Sequence, residues 1–203
     1  MGSRDQETAV SNSLNITKNS HQWINELQKG NEEYFELLFH TYYKPLCRFA
    51  VRYTGTVSLA EEMVQEVFLN IWKQRAEWNP QTSIRAYLYQ SVRNQALDHL
   101  KHHQVREKYD AEVGHELHQH EFEDEIPYWQ SDRFIKLVNQ QIEQLPERCR
   151  QIFKLHRFDG LTYKEIAEVL QLSTNTVEVQ MYRAMKTLRS RMLPYLTIIF
   201  CLI

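Results

Sequence analysis

Residues that interrupt regular secondary structure are scarce in this sequence, which has 5 glycines and 5 prolines among 203 residues. A β-sandwich or β-barrel needs a turn every 8 to 12 residues or so, and these few breakers argue against such folds. They favour helices joined by short connections.

Cysteine is scarce as well, and Cys47, Cys149 and Cys201 lie far apart. Three separated cysteines fit neither a disulfide framework nor a zinc knuckle, so we expect a reducing, cytoplasmic setting.

Long apolar segments and a large excess of one charge are also missing. Residues 1–20 are polar and contain no apolar segment of a secretory signal. The apolar residues 193–203 are too few to cross a bilayer, which takes about 20. The formal net charge of −2 excludes binding to nucleic acid through an overall positive charge, but it permits a local basic face.

Residue patterns typical of catalysis are missing too. There is no glycine-rich phosphate loop, no defensible pair of catalytic carboxylates and no Ser/His/Asp order that suggests a nucleophile. Two histidine clusters have no cysteine nearby, so zinc is not predicted at His99, His102 and His103 or at His115, His118 and His120. We therefore predict no catalytic residue, no metal or other cofactor and no small-molecule substrate, and we do not expect an enzyme.

Capping residues and apolar periodicity predict an all-α protein of two small helical domains. The expected boundaries are a disordered tail at 1–20, a first domain at 21–105, a linker at 106–132, a second domain at 133–192 and an apolar tail at 193–203. Nine acidic residues and a single base, Lys108, lie between Glu107 and Asp132. So many like charges with so few apolar residues predict a flexible linker.

A helix of the first domain, predicted to start at a capping box of Ser58 and Glu61, has two apolar stripes. One stripe is expected to face the core and comprises Ala60, Met63, Val64, Val67 and Ile71. The other mixes large apolar groups with a carboxylate and an amide and comprises Glu61, Gln65, Phe68, Leu69 and Trp72. Such a mixture is typical of a protein-docking surface. The alternative is that Phe68 and Trp72 pack under a neighbouring helix of the same domain.

The next predicted helix, from about Ile84 to His102, buries Leu88, Tyr89, Val92, Ala96 and Leu100. Its opposite face is polar and carries Tyr87, Gln90, Asn94, Asp98 and Lys101. The preceding loop adds Trp78, Asn79 and Ser83 near one end of the helix. Aromatic and amide groups around a loop can hold an unstacked base, although tyrosines on a helix more often belong to a core or its rim.

The second domain contains a helix-turn-helix pattern. A capping box of Thr162 and Glu165 starts a short helix, and Ser173 or Asn175 starts a long one. The apolar residues of the long helix are Val177, Met181, Ala184, Met185 and Leu188. The opposite face offers groups that suit base edges and phosphates, namely Asn175, Thr176, Val179, Tyr182, Arg183 and Lys186, with Glu178 at its border. The alternative is an ordinary solvated helix face.

Two stretches together resemble a known family. Residues 60–72 (AEEMVQEVFLNIW) and 85–98 (RAYLYQSVRNQALD) resemble domain 2 of bacterial RNA polymerase sigma factors. Residues 145–148 (LPER), 160–167 (GLTYKEIA), 175–177 (NTV) and 183–189 (RAMKTLR) resemble domain 4. The short linker makes the chain similar to the extracytoplasmic function (ECF) group of the sigma-70 family.

The resemblance implies binding to core RNA polymerase, through its β′ and β subunits, and to promoter DNA. The docking residues would be Glu61, Glu62, Gln65, Glu66, Phe68 and Trp72. The polar face of residues 84–101 would bind the −10 element, the loop at 78–83 would take a flipped base, and the face at 175–186 would read the −35 element. An anti-sigma factor, soluble or membrane-bound, is expected as a further partner. The alternative function is a conventional dimeric helix-turn-helix regulator, which would need no polymerase.

Overall fold

Two compact units make up the protein, and the boundary between them falls after residue 124. The structure is a computed structural model that describes residues 16, 19–107 and 132–201, with side chains at 16, 19–101 and 136–193. All regular secondary structure in these residues is α-helical, as predicted. Most of the predicted linker lies outside the described residues, as do the histidines at 115, 118 and 120. No helix in the described part of the chain is long and apolar enough to cross a membrane.

The first unit contains the helices α1 (Ser20–Gln28), α2 (Glu32–Thr54), α3 (Val57–Lys73) and α4 (Ile84–Glu107). Gly30, at φ 79°, turns the chain after α1, and the Asn31 side chain then caps α2 by accepting from the Glu33 amide at 3.2 Å. Pro45 lies inside α2 without dividing it.

The start of α3 differs from the prediction. The helix begins at Val57, so Ser58 is already helical and the predicted capping box with Glu61 is wrong. The reason is the preceding turn, in which Gly55 adopts φ 71° and ends α2 one residue before Thr56. Thr56 is thereby left as the N-cap, although its side chain accepts no capping hydrogen bond.

Side chains from all four helices fill the core of the first unit. The buried set includes Trp23, Leu27, Leu38, Leu46, Phe49, Ala60, Met63, Val64, Val67, Ile71, Leu88, Tyr89, Val92 and Ala96. Both core stripes predicted for α3 and α4 are thus buried, except that Leu100 is only half-buried. Ile16 is fully buried as well, and its carbonyl accepts from the Ser20 hydroxyl at 3.2 Å. The segment predicted as a disordered tail therefore contributes at least one core residue.

The second unit contains, in its described residues, α5 (Asp132–Glu143), α6 (Glu147–Arg157), α7 (Tyr163–Leu170) and α8 (Thr174–Cys201). Pro146 is the N-cap of α6 rather than its first helical residue. The capping box at α7 is confirmed, because the Glu165 amide donates to the Thr162 hydroxyl and the Glu165 carboxylate accepts from the Thr162 amide. Helix α8 runs on to Cys201, past the predicted end near residue 192, so the backbone of the predicted tail is helical to that residue.

The turn between α7 and α8 contains a residue in the left-handed region. Gln171 has φ 55° and ψ 49°, at the position where glycine is frequent in helix-turn-helix motifs. Its neighbour Leu172 donates its amide to the Ala167 carbonyl at 2.9 Å, and Ser173 accepts from the Thr176 amide at 3.1 Å. Ser173 therefore caps α8, which decides between the two predicted caps. Behind the turn, Ile166, Leu170 and Val177 are buried and lock the two helices together.

Candidate nucleic-acid interface

The second apolar stripe of α3 divides into a buried and an exposed part. Phe68 is only 2% exposed, and its ring lies 4.9 Å from that of Phe39 and 6.1 Å from that of Phe35, measured between centroids. The side chain thus packs under α2, which was the alternative weighed for it. Phe68 was predicted to be one of the docking residues on the surface. That prediction is wrong, because an enclosed ring offers no surface to a partner.

The rest of this face is accessible. Glu62, Gln65, Glu66 and Leu69 are exposed, and Glu61 and Trp72 are half-buried. Leu69 is 49% exposed, so it presents a large apolar side chain on this face. The Trp72 ring packs against the Phe35 ring, 4.7 Å away between centroids, and the Arg75 guanidinium lies over it at 4.5 Å. We call the set Glu61, Glu62, Gln65, Glu66, Leu69 and Trp72 the α3 face.

The polar face of α4 is arranged as its periodicity predicts. Asn94, Asp98 and Lys101 are exposed, whereas Tyr87 and Gln90 are half-buried. The Lys101 ammonium donates to the Asp98 carboxylate at 3.3 Å, so these two candidate DNA contacts pair with each other in the free protein. An exposed pair of this kind contributes little to stability, and either partner is available for a phosphate or base.

The loop before α4 forms one wall of a cavity of about 270 Å³. The residues that line it are Gln74, Glu77, Trp78, Asn79, Pro80 and Tyr87, and we call this the loop cavity. Trp78 is 5% exposed, with its ring centroid 5.6 Å from that of Tyr87. The Trp78 Nε1 has no hydrogen-bond partner within the described residues. The indole is therefore a wall of the cavity rather than a freely exposed stacking platform.

Residues around the cavity differ in what they can still bind. The Ser83 hydroxyl accepts from the Ala86 amide at 3.1 Å and so caps α4, which commits the oxygen that was expected to meet a base. Asn79 is exposed. Gln74 and Glu77 were missed as candidates, because they lie in the turn that follows α3 and only the folding of that turn brings them beside Tyr87.

Helix α8 presents the predicted polar face to solvent. Asn175, Glu178, Val179, Tyr182, Arg183 and Lys186 are exposed and Thr176 is half-buried, while Val177, Met181 and Ala184 are buried on the opposite side. Tyr182 is 67% exposed, which is unusual for a large aromatic side chain. Met185 is 37% exposed, so its assignment to the buried stripe is wrong. It lies at the edge of that stripe, where no other helix among the described residues covers it fully.

The cysteines with described side chains are structural. Burial raises the pKa of Cys47 to about 11 and also raises that of Cys149. The Cys149 thiol donates to the Gln180 side-chain oxygen at 3.0 Å and thereby joins α6 to α8. No group of three or more His, Cys, Asp or Glu residues that could hold a metal ion occurs in the described part of the chain.

A helix-turn-helix whose second helix presents an exposed polar face is typical of DNA-binding proteins. Comparison with known families agrees with this reading. Residues 38–106 match Sigma-70 region 2, and residues 135–188 match Sigma-70, region 4.

Curated relatives match more than four fifths of the chain. The RNA polymerase sigma-H factor of Pseudomonas aeruginosa is 27% identical over 191 residues, which covers 86% of this chain and 94% of the relative. The ECF RNA polymerase sigma factor SigW of Bacillus subtilis is 24% identical and covers 83% and 94%, and the ECF sigma-E factor of Escherichia coli K12 is 25% identical and covers 84% and 93%.

Solved structures agree on the fold. The sigma factor RpoE, in complex with the anti-sigma factor NepR from Bartonella quintana, has a TM-score of 0.56 at 16% identity, covering 77% of this chain and 94% of that one. CnrH, in complex with the cytosolic domain of CnrY, has a TM-score of 0.54 at 19% identity, covering 84% and 94%.

The chain therefore belongs to the sigma-70 family, in its extracytoplasmic function group. It is a sigma factor, a subunit that binds core RNA polymerase and directs it to promoter DNA. The comparisons favour this over the alternative of a dimeric helix-turn-helix regulator, because regions 2 and 4 both match, in one chain. Sigma factors in general are not catalytic enzymes.

Proposed function

We propose that this sigma factor recognises and opens its promoter through three surfaces. The α3 face docks on the coiled coil of the polymerase β′ subunit. The polar face of α4, with the loop cavity beside it, binds the −10 element as it opens. The exposed face of α8 binds the −35 element in the major groove.

The observation that carries the proposal is the loop cavity next to the polar face of α4. Removing a base from the duplex stack costs a few kcal/mol, roughly the amount that a protein pocket can offset by enclosing the base. The cavity offers an aromatic ring of Tyr87, the amides of Gln74 and Asn79 and the carboxylate of Glu77. A conventional duplex-reading regulator has no need of such a pocket.

Docking by the α3 face combines the apolar side chains of Leu69 and Trp72 with several acids. Leu69 supplies exposed apolar area, and Glu61, Glu62 and Glu66 surround it with negative charge. Apolar contact gives affinity, while the acids steer the face towards a basic partner and set its orientation. Phe68 supports this surface from beneath by holding α3 against α2.

At the −35 element, the cations Arg183 and Lys186 suit phosphates or guanine, and Asn175 suits adenine. Glu178 repels phosphates but accepts from a cytosine amino group, so we expect it to act on sequence preference rather than on overall affinity. No step requires chemistry by this chain. We propose that it acts in the cytoplasm with polymerase as a non-enzymatic subunit.

Reconstituted transcription tests the proposal. Core polymerase with this chain should start transcription at a defined promoter, and core polymerase alone should not. Asn79→Ala should reduce promoter opening, followed by permanganate reactivity of unpaired thymines, while leaving the binding of core polymerase unchanged. The control is Asn139→Ala, because Asn139 is exposed on α5. Equal opening by both variants would contradict the role of the loop cavity.

A second measurement separates −35 binding from polymerase binding. Arg183→Ala should weaken binding of the holoenzyme to promoter DNA and lower the slope of log affinity against log salt by about 1. Arg148→Ala is the matched control, since Arg148 is an exposed arginine on α6 outside the reading face. An unchanged salt slope in Arg183→Ala would contradict the assignment.

The two similar solved structures are complexes with an anti-sigma factor or with a second protein's cytosolic domain. We propose that an anti-sigma factor, soluble or membrane-bound, likewise holds this chain and covers the α3 face. A protein co-purified with the chain at one-to-one stoichiometry should suppress promoter-directed transcription when added back. Suppression that extra core polymerase cannot relieve would contradict competition for this face.

A further inference from the structure

The turn between α1 and α2 contacts the loop that walls the cavity. The Gln28 side-chain amide donates to the Trp78 carbonyl at 3.0 Å, across 50 positions of sequence. Gln28 is half-buried and stands at the last residue of α1. This bond therefore ties the loop cavity to a helix that contributes no lining residue to it. The match to Sigma-70 region 2 begins at residue 38, so α1 also lies outside the matched family region.

The turn that carries this contact is held by its own hydrogen bonds. The Glu26 carboxylate accepts from the Lys29 ammonium at 2.8 Å and from the Asn31 amide at 3.1 Å, and these bonds lower the pKa of Glu26. The Glu26 carbonyl also accepts from the Asn31 backbone amide at 3.0 Å. These hydrogen bonds hold the turn in one conformation, so the turn can fix the position of the loop that Gln28 contacts.

A second contact joins the same turn to the end of α3. Gly30 has φ 79°, and a Cβ atom placed on it would lie 3.3 Å from Arg75 Nε. The Arg75 guanidinium in turn donates to the Trp72 carbonyl at 2.8 Å and lies over the Trp72 ring. The Arg75 carbonyl accepts from the Trp78 amide at 3.2 Å. Trp78 is thus fixed at its carbonyl by Gln28 and at its amide by Arg75, and Arg75 packs against the turn.

We propose that Gln28 is a positioning residue for base capture, which sets the place of the Trp78 backbone and hence the width of the loop cavity. The inference rests on the proposed function, because it takes the loop cavity as the site of the flipped base. Trp78 is the buried wall of that cavity and Tyr87 packs against it. Loss of the hydrogen bond from Gln28 releases the Trp78 carbonyl, while the indole stays enclosed. We therefore expect the shape of the loop cavity to change and the packing of the core to remain as it is.

The test uses variants of Gln28 that remove or keep the side-chain hydrogen-bond donor and preserve the approximate length of the side chain. Gln28→Met keeps the length of the side chain and removes the N–H donor, and Gln28→Lys keeps a donor. Gln22→Met is the matched control, because the Gln22 amide donates to the Tyr34 hydroxyl at 3.2 Å and so joins α1 to α2 without reaching the loop. The thermal unfolding temperature of each free chain and its affinity for core polymerase are measured first.

The main measurement is the affinity of each holoenzyme for a pre-melted promoter, with the −10 bases present or replaced one at a time by abasic sites. Wild type identifies the captured base as the one whose removal weakens binding most. Gln28→Met should weaken binding to the intact strand by about 2- to 10-fold, the factor that corresponds to one ordinary hydrogen bond. It should bind the strand that lacks the captured base as wild type does, and Gln28→Lys and Gln22→Met should match wild type on both strands.

Two results would overturn the inference while leaving base capture intact. One is a Gln28→Met holoenzyme that discriminates the abasic strand as strongly as wild type does. The other is an equal loss on both strands, which would mean that Gln28 supports the domain in general. If wild type itself is indifferent to every abasic replacement, then base capture at the loop cavity fails, and the role of Gln28 fails with it.

Discussion

Replacing Phe68 by alanine separates the packing of α3 from its docking surface. The Phe68 ring is 2% exposed and meets the Phe35 and Phe39 rings at centroid distances of 6.1 and 4.9 Å. Truncating a buried phenylalanine costs about 3–5 kcal/mol, through lost burial and the cavity left behind. In a unit of roughly 100 residues each kcal/mol lowers the melting temperature by about 4 °C, so the first unit should melt about 12–20 °C lower.

The assay combines circular dichroism with polymerase binding by fluorescence anisotropy, measured at a temperature where the variant is folded. Leu69→Ala is the comparison, because Leu69 is the adjacent residue and is 49% exposed. It should change stability by less than about 0.5 kcal/mol and weaken polymerase binding by more than about 1 kcal/mol, roughly fivefold. If Phe68→Ala instead melted like wild type and lost polymerase binding, the packing argument would be refuted.

Three further predictions concern single residues. Thr162→Ala removes the hydroxyl of the α7 capping box and should destabilise the second unit by about 1 kcal/mol, measured by urea unfolding; no change would mean that Glu165 alone holds the helix start. Gln171→Gly relieves a left-handed residue at φ 55° and should stabilise the same unit by up to about 1 kcal/mol; a loss of stability would show that the side chain contributes more than the strain costs. Cys47, whose pKa is raised to about 11, should react slowly with iodoacetamide in the native state at pH 8 and rapidly in urea. Because the unfolded thiol releases its proton at lower pH than the folded one, Cys47 should also make the protein less stable as the pH rises from about 9 to 11, and flat stability in that window would contradict its burial.

Local signals predicted most helix positions and several of the caps. The confirmed cap at Thr162 and the cap found at Asn31 depend on hydrogen bonds between residues two or three apart, so the local sequence is enough to specify them. The capping box at Ser58 failed because Gly55 and Thr56 offered an earlier start. The left-handed conformation of Gln171, in the turn between α7 and α8, is known only from the structure.

The candidate sites also differ in how far local sequence predicts them. The exposed face of α8 follows from helical periodicity, since its opposite side is buried under neighbouring helices of the second unit. The loop cavity does not follow from periodicity, because it joins the end of α3 to the start of α4 across an irregular segment. Gln74 and Glu77 line the loop cavity because they lie in this irregular segment.

The amino-acid sequence alone determined that the protein is helical, which faces of α4 and α8 are polar and which family it resembles, because each depends on residues close together in the chain. Only the tertiary structure decided that Phe68 is core while Leu69 is surface, that Ser83 is a cap, and that Gln28 meets Trp78. Helical periodicity states which residues share a face but not what covers that face. The side chains that bury a helix face come from segments distant in the sequence, and the position of those segments depends on the packing of the whole unit.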